Sequence, residues 1–338
     1  MEALNVELMV EHTKNASALQ LEHKPIADDV KLAESVQQLR LSITSGLKDL
    51  SAAALTEAES HSDPLTLLRF LLARPGLAQA TTMFMETMQW RATRGTTSLA
   101  AELHPSQWQS GSRRCEVCAA HFYGGFGGLQ RSGHPFFVER LGRCDLAGFA
   151  GNAAVREVMA DAYVAYMELT LRTVREATLC GAGSLVRALL IIDAAGAGWS
   201  SLRHVGLLQS MSKVAVSYYP ELYEPIVIVN APSVVAAAWN LFAPFIPAET
   251  KRKISIVSSG GTRAVLEKHI APERIPAFLV DPTNLQGEEK GGGAAPPADL
   301  PLLPRLRAPN ASLGLERACD TRARRLRTDT QVGFAFGG

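Results

Sequence analysis

The chain has 338 residues, with 34 Lys and Arg against 33 Asp and Glu and a formal net charge of +1. That length admits one large domain or two modest ones, each able to bury a real core. A balance so close to neutral excludes a global field that would draw the whole molecule onto nucleic acid or an anionic bilayer, so membrane contact has to be local.

Met1–Glu11 carries acidic residues and lacks the basic, apolar and small-residue succession of a cleaved secretory signal. The most apolar stretches, Leu185–Ile192 and Ile226–Trp239, are short or broken by Asn230 and Pro232. A spanning helix needs about 20 apolar residues. The expectation is a cytoplasmic, monomeric protein that meets membranes peripherally and transiently. The five cysteines, Cys115, Cys118, Cys144, Cys180 and Cys319, form an odd and scattered set, which suits a reducing compartment. Cys115 and Cys118 have metal-like spacing with His121 nearby, but no second pair follows, so structural thiols are expected and no metal.

Residues 1–25 read as a tail and 26–95 as a helical lobe. Val36, Leu39, Ile43 and Leu47 recur at steps of three and four, the mark of a helix with one buried face. Asp63 before Pro64 fits an N-cap followed by proline at the first helical position, with helix to Arg74 and a stop at Pro75 and Gly76. A second run from Leu77 to Arg94 puts Leu77, Ala80, Phe84 and Met88 on one face and stops at Gly95. From about residue 105 to 285 the pattern becomes α/β. Pro135–Leu141 reads as strand, Ala153–Thr178 as a long helix with Met159, Ala162, Tyr166, Leu169 and Thr173 on one face, and Leu185–Asp193 as a buried strand. Helix 202–218, strand 226–230, helix 233–242, strand 253–257 and helix 262–269 follow. This alternation predicts a mostly parallel sheet flanked by helices. Residues 286–338 are rich in Gly, Pro and Arg and read as a disordered tail, either solvated or touching acidic lipid head groups through Arg317, Arg322, Arg324, Arg325 and Arg327.

Two motifs suggest nucleotide chemistry and fail on inspection. IIDAAGAG at 191–198 has only Gly196 and Gly198 where a dinucleotide turn needs three placed glycines, and Gly124, Gly125, Gly127 and Gly128 lack a following Lys-Ser or Lys-Thr. The second set reads as a loop before the first strand. Asp193 closes a buried strand, but no nucleophile pairs with it. No reaction is assigned, and no cofactor is expected.

Several stretches in order resemble the CRAL-TRIO lipid-binding family, in particular its fungal phosphatidylinositol and phosphatidylcholine transfer branch. They are LLRFLLAR at 67–74, MQWRATRG at 88–95, SGHPFFVERLG at 132–142, LLIID at 189–193, and YYPELYEPIVIVNAPSVVAAAWNLFAPFIPAETKRKI at 218–254. HIAPERIPAFL at 269–279 is similar to the family's closing segment. The resemblance implies an N-terminal helical lobe and a lipid pocket whose sheet is the floor and whose cover is a mobile gate helix. The residues supply suitable parts: Ala188, Leu190 and Ile192 share one strand face, as do Ile226 and Ile228, and Val235, Trp239 and Phe242 share one helix face.

By the same resemblance, Arg74, Glu221, Thr250 and Lys253 stand where the phosphoinositide-binding branch holds phosphate and inositol, while Pro75 replaces a second basic residue. Phe126, Phe137, Ala188 and Leu190 stand where two tyrosines, a Ser and a Thr hold phosphatidylcholine. The expected ligand is therefore phosphatidylinositol or a more apolar lipid such as a sterol, isoprenoid or tocopherol-like molecule, carried or presented between membranes. The alternatives are a membrane-associated signalling scaffold of the same fold that exchanges little lipid, and an α/β enzyme using Asp193. The partners implied are a phospholipid or other hydrophobic small molecule and a membrane surface, with no nucleic acid.

Overall fold

A computed structural model describes residues 30–74, 76–104, 107, 112–122, 124–144, 146–180, 185–199, 204–235, 239, 243 and 248–281. The first and last predicted tails fall outside these residues, as does Pro75.

Four helices open the fold: α1 (Val30–Gly46), α2 (Ala52–His61), α3 (Pro64–Ala73) and α4 (Leu77–Arg94). Local chemistry sets their ends. Ser51 accepts from the Ala54 amide, Asp63 accepts from the Thr66 amide at 3.1 Å with Pro64 next in line, and Gly95 closes α4 at φ 67°, where glycine carries no Cβ penalty. Helices this short gain most of their stability from burial. Val36, Leu39 and Ile43 of α1 meet Leu67, Leu68 and Phe70 of α3 and Ala80, Phe84 and Met88 of α4, with Phe70 edge-on to Phe84 at 5.2 Å.

Two further helices, α5 (Thr96–Glu102) and α6 (Arg113–His121), lead into a five-stranded sheet in the order β1 (Gly124–Leu129), β2 (Pro135–Arg140), β3 (Ala188–Asp193), β4 (Tyr223–Val229) and β5 (Ile254–Ile256). The β1–β2 pair is antiparallel and the other three pairs are parallel. The crossovers hold α7 (Leu146–Gly151), α8 (Ala153–Cys180), α9 (Val205–Tyr218) and α10 (Ala248–Arg252), and α11 (Ser259–Leu266) and α12 (Ala277–Val280) close the described fold. The α/β architecture expected from the alternation is present. One expectation is corrected: the glycines at 124–128 form β1 and not a loop. A Cβ at Gly127 would lie 2.2 Å from the Phe136 ring on the neighbouring strand, so the glycine there lets the two strands close.

The sheet separates two cores. Phe136, Val138, Leu189, Ile191, Val227 and Val229 pack under Leu266, Ile270, Ile275 and Leu279. The opposite face, carrying Phe126, Phe137, Ala188 and Leu190, packs against Met159, Ala162, Tyr166 and Met167 of α8. The helical lobe is fastened to this second core through Arg91 of α4. Its guanidinium, 2% exposed, donates to both carboxylate oxygens of Glu168 (2.6 and 3.0 Å) and to Glu57 (2.8 Å), while the Tyr219 hydroxyl donates to Glu168 at 2.6 Å. Trp90 stacks on Tyr218 with ring centroids 4.0 Å apart.

Candidate functional site

Period-two alternation and strand register place the predicted floor residues in two rows. Phe126, Phe137, Leu190, Ile226 and Ile254 face one another across five strands, and Glu139, Ile192, Ile228 and Ile256 form the next row. Phe126 and Phe137 touch edge to face at 5.6 Å, and Tyr166 of α8 stands over Phe137 at 5.8 Å. Ala188 pairs with Tyr223 at the start of the parallel strands. On β1 to β3 this face is mostly buried, but Ile192, Ile226, Ile228, Ile254 and Ile256 are only half-buried, while Val227 and Val229 on the other face are buried. The structure thus brings seven predicted lining residues onto one face. Of the predicted gate, Val235 and Trp239 are each helical and half-buried. Phe242 lies outside the described residues.

The predicted head-group residues divide. Lys253 Nζ donates to both Glu221 oxygens, at 2.9 and 3.0 Å, so these two come together. Arg74 does not join them: its guanidinium donates to the carbonyl of Ala73, and no hydrogen bond or ion pair links it to Glu221 or Lys253 among the described residues. Its helix ends at Ala73 in an extended backbone, which leaves the side chain at the helix tip. The Thr250 side chain lies outside the described residues.

Two residues that the sequence reading missed complete the cluster. Arg187 Nε donates to Glu221 at 2.6 Å and lies 3.3 Å from Glu224. Arg69, 1% exposed, donates to the carbonyls of Glu221 and Val186. These bonds hold Glu221 in a left-handed conformation at φ 56° and tie α3 to the strand entrances. Burial alone would raise the Glu221 pKa, but Arg187 and Lys253 outweigh it and hold the carboxyl below its usual range. Burial, aided by the nearby Arg187 charge, pushes Arg69 down to about 9, which leaves it charged at neutral pH. Arg187, Glu221 and Lys253 immediately precede β3, the start of β4 and β5, so the cluster occupies the N-terminal ends of three adjacent parallel strands.

With this geometry in view, residues 120–279 match the model of the CRAL/TRIO domain. The chain contains a CRAL/TRIO domain. It is 28% identical over 219 residues to the Sec14 cytosolic factor of Schizosaccharomyces pombe, covering 64% of this chain and 74% of that one. Identity to the phosphatidylinositol/phosphatidylcholine transfer protein SFH9 of Arabidopsis thaliana is also 28%, over 65% of this chain but 37% of that protein. The SEC14 cytosolic factor of Candida glabrata is 27% identical over 80% of this chain and 84% of its own. The crystal structure of Sfh5 aligns with a TM-score of 0.47 at 13% identity, covering 70% of this chain and 84% of that one, too loose a likeness to carry an argument.

Within the CRAL/TRIO domain, Asp193 serves the frame. It accepts from Asn230 Nδ2 (3.0 Å) and the Ala195 amide (3.1 Å) and lies 3.6 Å from Arg140, whose guanidinium sits over the Phe278 ring. Burial raises its pKa, and these donors oppose the rise. Gly196 turns at φ 86°, and a Cβ on Gly142 would lie 1.7 Å from the Ala195 carbonyl oxygen, so the glycines around IIDAAGAG serve a turn and a close backbone approach. Cys115 and Cys118 are buried on α6, and burial pushes the Cys118 thiol up to about 12, which keeps it protonated. No helix among the described residues is long and apolar enough to cross a membrane.

Proposed function

We propose that this chain holds one lipid molecule against the Phe137–Ile256 face of its sheet and transfers or presents it between membranes. The observation that carries the reading is the set of five isoleucines, Ile192, Ile226, Ile228, Ile254 and Ile256, half-buried at the centre and edge of a sheet whose other face buries Leu189, Ile191, Val227 and Val229. Leaving an aliphatic side chain in water forgoes about 1.5–3 kcal/mol of burial. A hydrocarbon ligand laid along these rows recovers part of that. The name of the Arabidopsis thaliana relative, which describes phosphatidylinositol and phosphatidylcholine transfer, supports the same class of cargo.

Phosphatidylinositol is the first ligand to test. Lys253 and Arg187 supply cations for its phosphodiester, and Glu221 and Glu224 supply acceptors for inositol hydroxyls. Arg187 adds a second cation beside Lys253 at Glu221. A more apolar lipid is the second, because Phe126, Phe137, Ala188 and Leu190 offer a zwitterionic head group nothing to bond. Mass spectrometry of lipid extracted from the purified chain, followed by transfer of that lipid between vesicles, tests the reading. Trp239→Asp is expected to lower transfer severalfold while leaving the thermal transition near its original temperature, because a charge opposes burial against an acyl chain. Protein that leaves purification without lipid and moves none between vesicles overturns the proposal.

A further inference from the structure

Two large apolar side chains flank the corner between α3 and α4 and stand in solvent. Leu72, in the last turn of α3, is 46% exposed, and Leu77, which opens α4, is 39% exposed. Both are out of step with their helices. Leu77 shares the inward row of α4 with Ala80, Phe84 and Met88, which are buried in the helical core, but it is not itself part of that core. On α3, Leu68 is buried, and Leu72 one turn further on is left out in the same way. Water around an aliphatic side chain forgoes its burial, and exposed apolar groups that lie close together mark a contact surface.

The charge around the corner says what covers it. Across residues 64–85 the only charged side chains are Arg69 and Arg74, and both are cations. Arg69 is committed to the carbonyls of Glu221 and Val186, whereas Arg74 donates to the Ala73 carbonyl beside it and forms no ion pair among the described residues. Ala78 and Gln79 complete the exposed corner without a carboxylate. Arg74 and the adjoining cluster of Arg69, Arg187 and Lys253 with Glu221 and Glu224 together carry two net positive charges. Apolar side chains next to uncompensated cations suit a surface of anionic lipids, where shallow insertion and phosphate pairing act together. A stable protein interface takes about 800 Å² from each partner, far more than this corner offers.

We propose that the α3–α4 corner is a membrane-docking surface: Leu72 and Leu77 enter the boundary between head groups and acyl chains of an anionic bilayer, and Arg74 pairs with a lipid phosphate. The inference rests on the lipid-carrier reading for its purpose and not for its test. Arg69 fastens α3 to the carbonyls at the entrances of β3 and β4, and Leu72 follows it by three residues, about 4.5 Å of helix rise. A docked corner therefore holds those entrances, with Arg187 and Lys253, next to the layer of lipid head groups. This gives Arg74, which stands apart from Glu221 and Lys253, a task at the surface of the bilayer.

The test is flotation of the full chain with vesicles of phosphatidylcholine alone and of phosphatidylcholine mixed with phosphatidylserine. The unaltered chain is expected to float with the anionic vesicles and to be released as salt rises. Leu72→Asp combined with Leu77→Asp should weaken that binding roughly tenfold or more, with the thermal midpoint unchanged because neither leucine is in the core. Arg74→Gln should weaken it roughly fivefold on the anionic vesicles and leave any binding to pure phosphatidylcholine as it was. Failure of the unaltered chain to float, or equal flotation of the unaltered chain and the double-leucine variant, overturns the inference. So does a double variant whose thermal midpoint falls by several degrees, for the leucines are then covered within the chain. Lipid extracted from each protein is measured in parallel. Docking that fails while lipid is still held leaves the pocket reading standing, and a chain that docks through its leucines but holds no lipid overturns that reading alone.

Discussion

Replacing Glu139 with Gln should change the way stability depends on pH, and the size of the change follows from where the carboxyl sits. Its pKa is pushed from 4.5 to about 7 by burial, opposed only by the Tyr166 hydroxyl. In the unfolded chain the group ionises near 4.5, so between that value and 7 the folded state retains a proton that the unfolded state has lost. Folding stability therefore declines as pH rises through this window and levels off above it. A displacement of this size corresponds to roughly 3 kcal/mol at full transfer. The amide of the Glu139→Gln variant is neutral throughout, so any fixed cost of burying it cancels when the difference between variant and parent is compared at two pH values. Urea denaturation of both proteins at about pH 4 and about pH 8 reads that difference. The variant is expected to gain about 2–3 kcal/mol on its parent between the two. Parallel stability curves would refute the reasoning, and with it the claim that this half-buried carboxyl is desolvated without a cation.

The fastening of the helical lobe gives a second expectation: Arg91→Ala strands Glu168 in a buried site and should cost about 3–5 kcal/mol in denaturation, far more than loss of an exposed pair such as Arg263–Glu267. Gly142→Ala drives a methyl group into the Ala195 carbonyl, so the turn after β3 must shift, at about 1–3 kcal/mol read as a lowered thermal midpoint.

The elements legible in the sequence were those whose signal is local. Asp63-Pro64 fixed the start of α3, Gly95 the end of α4, and the period-two run at 188–193 the two faces of β3. β1 was misread because its glycines carry no side chain to show alternation; their reason for being there is the Phe136 ring on the next strand. The head-group cluster was half legible. Glu221 and Lys253 sit in the strongly patterned 218–254 stretch, but Arg69 reaches Glu221 from 152 positions away, and no local pattern announces such a partner. Arg187 carried a faint signal, a charge one residue before a buried strand. Glu139 was hidden in plain view: alternation from Phe137 puts it on the floor, yet a Glu in FFVERLG reads as the exposed end of a strand until α8 is seen covering it.

The head-group cluster and the Glu139 carboxyl lie at opposite ends of the parallel strands, and that separation can be tested. Five residues separate Arg187 from Ile192, the β3 residue paired with Glu139, or about 16 Å at 3.3 Å per residue. The outer zone sets the cations Arg69, Arg187 and Lys253 against the carboxylates Glu221 and Glu224, an excess of one positive charge that a single phosphodiester would neutralise. The inner zone has no cation. Because Arg69 is committed to two carbonyls, Lys253 and Arg187 are the residues able to turn from Glu221 toward a ligand. Lys253→Ala should therefore weaken capture of phosphatidylinositol from vesicles by roughly tenfold or more, the loss of one charge-assisted bond, and leave uptake of an isoprenoid alcohol unchanged. Both ligands need the isoleucine rows between the zones, so each should displace the other from the unaltered chain. Equal losses of both ligands in the Lys253 variant would mean that the cluster supports the fold and reads no head group.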